Sequence, residues 1–364
     1  MSRARDLANL SNVINKGANL QPNLITNGDM SVDQRNSGSS VTATHGADTY
    51  CPDRYRFIEN HSGSFSLQQV QDAPDDLEYS MKVTVTGTDT SLSATEFTRT
   101  IQGIEGQHIS HLNWGSANAR TCTLTFYVKS SVTGKYYISV FNNAANRSFV
   151  SGYTINTADT WEKKTITITG DTSGTWLTTN AAGIFISWSL GTGTTYQTSN
   201  LDSFQGAFDM AGSDQINLAA TNSATWQLTG VSFVVGDSAP VTHPYESFGD
   251  NLAKCQRYYT KSWSQGSAVT TNNGIITAAC VGNVNRAFGN VYWTTTMRTS
   301  PTVTWYNGSS GTVNKWRNGS QGVDITPPSP NTGIGESGYG FVLSSGITAV
   351  TDTLQGHYEA EAEL

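Results

Sequence analysis

The sequence predicts an all-β protein built from antiparallel β-sandwich domains, on three observations. Apolar residues alternate with polar ones over short runs. Gly, Asn, Ser and Thr break those runs at close intervals. Helical periodicity is confined to two short stretches. The composition agrees: 35 glycines, 10% aromatic residues and only 13% charged residues in 364, about half the usual charged share. A disordered chain would show few aromatics and many charges. Length alone suggests two or three domains.

In chain order, the first helical stretch is residues 1–20, where Leu7, Leu10 and Ile14 recur at helical spacing and Gly17 is a plausible stop. So short a helix is not stable alone and is expected to dock on another surface. Strand texture begins near residue 22. In Cys122–Lys129, Cys122, Leu124, Phe126 and Val128 share one face and Thr123, Thr125, Tyr127 and Lys129 the other, the signature of a half-buried strand. Met81, Val83 and Val85 repeat it, as do Ile166 and Ile168, and Ile184, Ile186, Trp188 and Leu190. Trp226 and Leu228 alternate, then Val231, Phe233 and Val235 continue one residue out of phase, which predicts a bulge at Gly230. Trp188 and Trp226 fall in apolar phase and are expected in the core. These strands predict one jelly-roll domain over 22–244.

Pro240 and Pro244 then flank a polar loop. Phe248, Leu252, Cys255 and Tyr259 form an apolar stripe on a helix of about 12 residues, with Asp250 in its first turn. This connecting helix, within 245–261, precedes a smaller C-terminal β-sandwich over 262–364. There Val303 and Trp305 alternate with Thr302, Thr304 and Tyr306, and Tyr339, Phe341 and Leu343 form another inward set. The last strand sets Tyr358, Ala360, Ala362 and Leu364 against Glu359, Glu361 and Glu363. The stretch Gly319–Gly338 reads as a long exposed loop, where binding residues often sit.

The charge of −7 and pI of about 5.3, with no basic run, argue against duplex nucleic acid as a partner. No apolar run approaches a membrane span, so no membrane insertion is expected. The basic start lacks an apolar signal core, which points to synthesis in a cytoplasm. Cys51, Cys122, Cys255 and Cys280 are far apart and read as reduced, buried thiols.

No nucleotide-binding, metalloprotease or serine-hydrolase motif is present, so the chain is expected not to be an enzyme and to need no cofactor. His108 and His111, three apart, are read as loop or surface residues over metal ligands. The cluster Asp72, Asp75, Asp76 and Glu78 is read as a solvated turn, with a calcium loop as the alternative. No metal is expected. The nine tryptophans suit a different chemistry. Sugar rings stack their CH faces on aromatic planes, and neutral amides bind their hydroxyls. Trp293, Trp305, Tyr306, Asn307, Trp316 and Asn318 are the candidate ligand-binding residues, with core filling as the competing role for each aromatic.

Several blocks resemble a family of tailed-bacteriophage virion proteins. They are Asn23–Asp29 followed by Asp53–Phe57; Gln102–Gly106; Asn146–Ser148, Asp159–Lys164 and Gly170–Trp176; and Leu228–Gly236 running on to His243 and Leu252–Tyr259. Ser2–Ala8 resembles the start of phage fibre proteins, and Tyr358–Leu364 a fibre-tip closing strand. The Asn23 block is similar to the opening strand of carbohydrate-binding-module jelly rolls. The resemblance implies a jelly roll, a tip domain, a homotrimer and a place on the virion, in the phage tail. It supplies no ligand residues, because fold similarity does not establish glycan binding. The sequence reading is therefore a tail-fibre or tail-tip protein. Arg3, Leu7, Leu10 and Ile14 would anchor it to the tail, baseplate or another virion protein, and the C-terminal domain would contact a host-surface glycan. The alternatives are a purely structural capsid-decoration or baseplate protein and a polysaccharide-degrading enzyme.

Overall fold

The computed structural model describes residues 22–74, 76–239, 243–270, 272–280, 286–328, 333–344 and 346–364. The proposed anchor residues Arg3, Leu7, Leu10 and Ile14 lie outside the described residues, as does Asp75. The chain forms two units. One is the described chain up to Ser31 with Gly38–Glu246; the other is Val32–Ser37 with Ser247–Leu364.

The first unit contains β1 (Val41–Thr42), β2 (Thr49–Tyr50), β3 (Arg56–Glu59), β4 (Ser64–Val70), β5 (Ser80–Gly87), β6 (Phe97–Glu105), the single turn α1 (Gly106–Ile109), β7 (Cys122–Ser130), β8 (Gly134–Asn142), β9 (Ser148–Ile155), β10 (Glu162–Ile168), β11 (Ala182–Thr192), β12 (Phe204–Gln205) and β13 (Thr225–Val235). They pair antiparallel in two sheets. One runs β1-β4-β5-β13-β7-β10 and the other β12-β9-β8-β11-β6-β3-β2. The non-sequential neighbours are the crossovers of a jelly roll.

Strand period two fixes the core. Leu124, Phe126 and Val128 from one sheet meet Ile184, Ile186 and Trp188 from the other, all fully buried. Phe126 stands edge-on to Trp188 at 5.8 Å and to Tyr153 at 5.1 Å. Trp226 is buried as its phase predicts. The β13–β7 register slips between Thr229 and Ser232, so the expected bulge exists. Gly230 occupies it at φ +59°.

Two further segments complete this unit. The loop before β5 is clamped by Asp72, whose carboxylate accepts from Lys129, from Gln227 at 3.0 Å and from Trp161 at 3.2 Å. Those protein donors engage both Asp72 oxygens. The long β11–β13 connection lies over part of the outer face of the seven-stranded sheet. There Leu201 and Ala211 pack on Tyr137 and Val150, Ile216 N–H donates to the Lys135 carbonyl at 2.8 Å, and Lys135 reaches Asp214 at 2.9 Å.

The second unit contains α2 (Phe248–Gln256), β14 (Tyr259–Lys261), β15 (Ile276–Cys280), β16 (Ala287–Tyr292), β17 (Thr302–Tyr306), β18 (Trp316–Asn318), β19 (Val323–Ile325), β20 (Gly338–Leu343) and β21 (Leu354–Glu361). Ser247 caps α2 by accepting from Asp250 N–H at 3.2 Å. The helix is shorter than its stripe predicts. Tyr259 belongs to β14 and pairs with Glu361, so sheet pairing ends the helical pattern, and Phe248 is 53% exposed. Part of the predicted 319–338 loop is also strand, because Val323–Ile325 folds back on Trp316–Asn318.

All eight strands connect through β21. Its first residues pair with β15 and β18, and its last with β14 and β17. The alternation predicted for this strand holds: Tyr358, Ala360 and Ala362 are buried. The acidic face is matched within the unit. Arg35 lies 3.3 Å from Glu361 and 3.2 Å from Glu363, with its guanidinium 3.8 Å from the Tyr259 ring centroid. Tyr259 and Tyr306 donate to Glu359 at 2.8 and 2.6 Å.

Candidate functional site

The predicted stacking residues turn inward. Trp305 and Trp316 are 1% and 0% exposed, and Trp293 is 7% exposed. In β17 the burial alternates so that Val303 and Trp305 face the core. Trp305 packs edge-on against Trp316 at 5.3 Å, and both contact Phe341, at 5.7 and 5.1 Å. Trp293 packs on Tyr358 at 5.2 Å and donates its indole N–H to the Gly335 carbonyl at 2.9 Å.

The polar candidates also serve the fold. Asn307 is fully buried. Its Oδ1 accepts from Ser309 and Ser310 N–H at 2.7 and 3.2 Å, closing a turn, and its Nδ2 donates to Asp324. Asn318 is equally buried, donating to the Gly346 carbonyl at 3.1 Å and accepting from Gln321 N–H at 3.2 Å. Tyr306 is half-buried, and burial followed by its bond to Glu359 pushes its hydroxyl far above the ordinary phenol range. The expectation that Trp293, Trp305, Asn307, Trp316 and Asn318 hold a ligand is therefore corrected, because all five are buried. Small β-domains fill their cores with large aromatics, and buried turns need amides to satisfy the backbone.

An outward aromatic face lies next to them, on β16 and β20. In β16, Ala287 and Val291 point into the core, so Phe288, Asn290 and Tyr292 point out. Phe288 is 46% exposed and Tyr292 78%. Across the register, Phe288 faces Val342, Asn290 faces Gly340 and Tyr292 faces Gly338. No side chain therefore stands opposite the Asn290 amide or the Tyr292 ring. A Cβ on Gly338 would sit 2.4 Å from the Val291 carbonyl, and one on Gly340 3.1 Å from the Asn290 amide oxygen. The two glycines open a recess of about 210 Å³, lined by Asn290–Tyr292 and Ser337–Gly340.

This face has a definite chemistry. Phe288 and Tyr292 are four residues apart on one strand, a separation of roughly 13 Å. The amide of Asn290 lies between them with both donor and acceptor capacity. Neither formal charge nor titratable carboxylate appears among its six outward residues. Planar apolar surface with a neutral amide at mid-span suits a short stretch of neutral saccharide, whose rings present CH faces and hydroxyls. The sequence carries a trace of this site. The run Gly338-Tyr-Gly-Phe-Val puts glycines on one face and aromatics on the other. Val291-Tyr-Trp293 hides it, because three apolar residues in a row do not say which one faces out.

His108 lies on α1, and His111 on the 3-10 turn that follows. Among the described residues no group of three or more His, Cys, Asp or Glu is placed to hold a metal ion.

No family model and no curated protein matches the sequence. Among solved structures, the chain is similar to the enzymatically active domain of tailspike protein 4 from bacteriophage CBA120, at 13% identity and a TM-score of 0.31, covering 59% of this chain and 21% of that one. It is also similar to the family 11 carbohydrate-binding module of a Clostridium thermocellum cellulosomal cellulase, at 11% identity and a TM-score of 0.29, covering 54% of this chain and 99% of the module. A third is the module TmCBM61, solved with β-1,4-galactotriose, at 10% identity and a TM-score of 0.28, covering 59% of this chain and 99% of the module. The chain thus spans about a fifth of the tailspike domain.

Proposed function

We propose that this chain is a non-enzymatic attachment protein of a tailed bacteriophage, which binds a neutral host-surface glycan through the Phe288–Asn290–Tyr292 face. The single observation that carries the glycan reading is that face: two exposed aromatic rings and an amide on one strand, opposite two glycines that leave the surface open. The phage assignment is supported by the ordered sequence blocks described above. In this reading the protein is a homotrimer on the tail, and three linked heads raise avidity by about 10²–10⁴ over one weak contact.

The test is adsorption and glycan-array binding by a Phe288→Ser/Tyr292→Ala variant. Losing two stacking contacts is expected to weaken binding at least tenfold, since each is worth roughly a kilocalorie. Circular dichroism and melting temperature should stay near wild type, because both side chains are exposed. Trp305→Ala is the contrasting control: it removes a core side chain and should cost about 3–5 kcal/mol of stability. Unchanged adsorption by the folded double variant sinks the glycan face. Immunogold labelling at the capsid would remove the tail assignment, and release of reducing ends from host polysaccharide would show an enzyme.

A further inference from the structure

The uncharged surface of the second unit continues past the recess. Its sheet runs β19-β18-β21-β15-β16-β20. The buried residues fix which side chains face outward. Leu354 and Tyr358 of β21 are in the core, as is Ala278 of β15 with Ile276 packed beside it, and so are Trp316 and Asn318 of β18. Gln355, Thr277 and Arg317 therefore point to the opposite side, the side of Asn290.

The register sets them in line. Asn290 is opposite Gly340. The β15–β16 register, in which Ala279 partners Phe288, places Thr277 level with Asn290. Thr277 is opposite Gln355, Gln355 is opposite Arg317 on its other side, and Arg317 is opposite Asp324. One row thus crosses the outer face through Gly340, Asn290, Thr277 and Gln355, and ends on the facing charges of Arg317 and Asp324. Its uncharged part covers four strands, roughly 14 Å. Phe288 stands on one side of the row and Tyr292 on the other.

The polar side chains of this row are not used by the fold. Thr277 and Asn290 are exposed and Gln355 is half-buried, and none of the three side chains hydrogen-bonds to a described residue. Nearby amides behave differently: Asn318 donates to the Gly346 carbonyl at 3.1 Å, and Asn307 donates to Asp324. A glycine lies beside each free amide. A Cβ on Gly340 would sit 3.1 Å from the Asn290 oxygen, and one on Gly319 3.5 Å from the Gln355 nitrogen. Each amide offers donors and an acceptor, and the Thr277 hydroxyl between them offers both. Asn290 and Gln355 stand two strand spacings apart, about 10 Å. Neutral donors and acceptors at that spacing match successive hydroxyl-bearing sugars and give no advantage to a charged one.

We propose that the saccharide crosses the strands rather than following β16. One sugar occupies the recess on Asn290, between Phe288 and Tyr292, and the next units pass over Thr277 to Gln355. Gln355 is then the residue that selects neutral saccharides longer than a disaccharide. This inference rests on the proposed function, because the Phe288–Asn290–Tyr292 face holds the first sugar.

The experiment is calorimetric titration of the full chain with neutral glucan, galactan and mannan oligosaccharides, each as disaccharide and tetrasaccharide. The tetrasaccharide of the series that binds is expected to bind at least tenfold more tightly than its disaccharide, through the added hydrogen bonds. Gln355→Ala should weaken the tetrasaccharide about fivefold and leave the disaccharide unchanged. Thr277→Val should give a smaller loss with the same dependence on length. Asn290→Ala should weaken both lengths alike. Equal affinity for the two lengths overturns the crossing path, as does a Gln355→Ala effect that is absent or the same for both. Those results leave saccharide binding itself in place. Failure of every oligosaccharide to bind, or binding untouched in the Phe288→Ser/Tyr292→Ala variant, removes the proposed function and this inference with it. If Gln355→Ala fails to fold, Gln355→Met, which keeps the side-chain stem without the amide, takes its place.

Discussion

Glu162 stands at the first position of β10 and gathers four donors. The Asn156 and Thr157 N–H groups reach Oε1 at 2.7 and 3.0 Å, and the Asn156 amide and Lys164 reach Oε2 at 2.7 and 2.6 Å. Burial works against its ionisation. The Lys164 bond and then the backbone donors outweigh it, holding the carboxyl at about 2 against an ordinary 4.5. A depressed carboxyl pKa stabilises the fold fully above the ordinary value, and that contribution is lost as pH falls toward 2. Replacing Glu162 by Gln should therefore lower the melting temperature at neutral pH and flatten its decline between about pH 4.5 and 2. Thermal melts across that range measure it, and an acid limb identical to wild type would remove Glu162 from the account. The same scale explains which aromatics face outward. Tyr292 and Trp293 are adjacent, yet one is 78% exposed and the other 7%, because consecutive side chains of an extended chain point to opposite sides.

Strands add constraints that no single residue carries. The β13 bulge lets Trp226 and Leu228 on one side of Gly230, and Val231 and Phe233 on the other, all reach one core. Gly230 holds this geometry at φ +59°, where a Cβ would also meet Leu77 and Tyr127 at 2.8 Å. Gly230→Ala adds both backbone strain and a clash, so a loss of more than about 1 kcal/mol is expected in denaturant unfolding. A neutral result would mean that the strand reforms without its bulge. The bulge was legible in the sequence as a phase slip beside a glycine. The end of α2 was not. Its apolar stripe continues to Tyr259, and only the pairing of Tyr259 with Glu361, 102 positions further on, makes that residue a strand. Likewise Val323–Ile325 shows too short a pattern to be read as a strand without its partner Trp316–Asn318.

For the whole molecule, the second unit is discontinuous in sequence, because Val32–Ser37 folds with Ser247–Leu364. Arg35 brings one cation to the acidic face of β21, with its side chain 14% exposed and that of Glu363 only 6%. Arg35→Met leaves the two glutamates without that cation and should cost about 1–3 kcal/mol. Chemical denaturation of Arg35→Met and Arg35→Lys tests this: the lysine variant keeps the cation and should lose less, and an equal loss in both would assign the role of Arg35 to packing on Tyr259. The sequence by itself determined the fold class, the strand phases of the jelly roll, the bulge and the two-sided closing strand, because each is written in a period-two pattern within a few residues. Tertiary structure alone decided which aromatics are exposed, that Arg35 faces the terminal glutamates, and that Phe288 and Tyr292 stand over glycines. Those facts depend on which strand lies beside which, and pairing between distant segments leaves no mark on local periodicity.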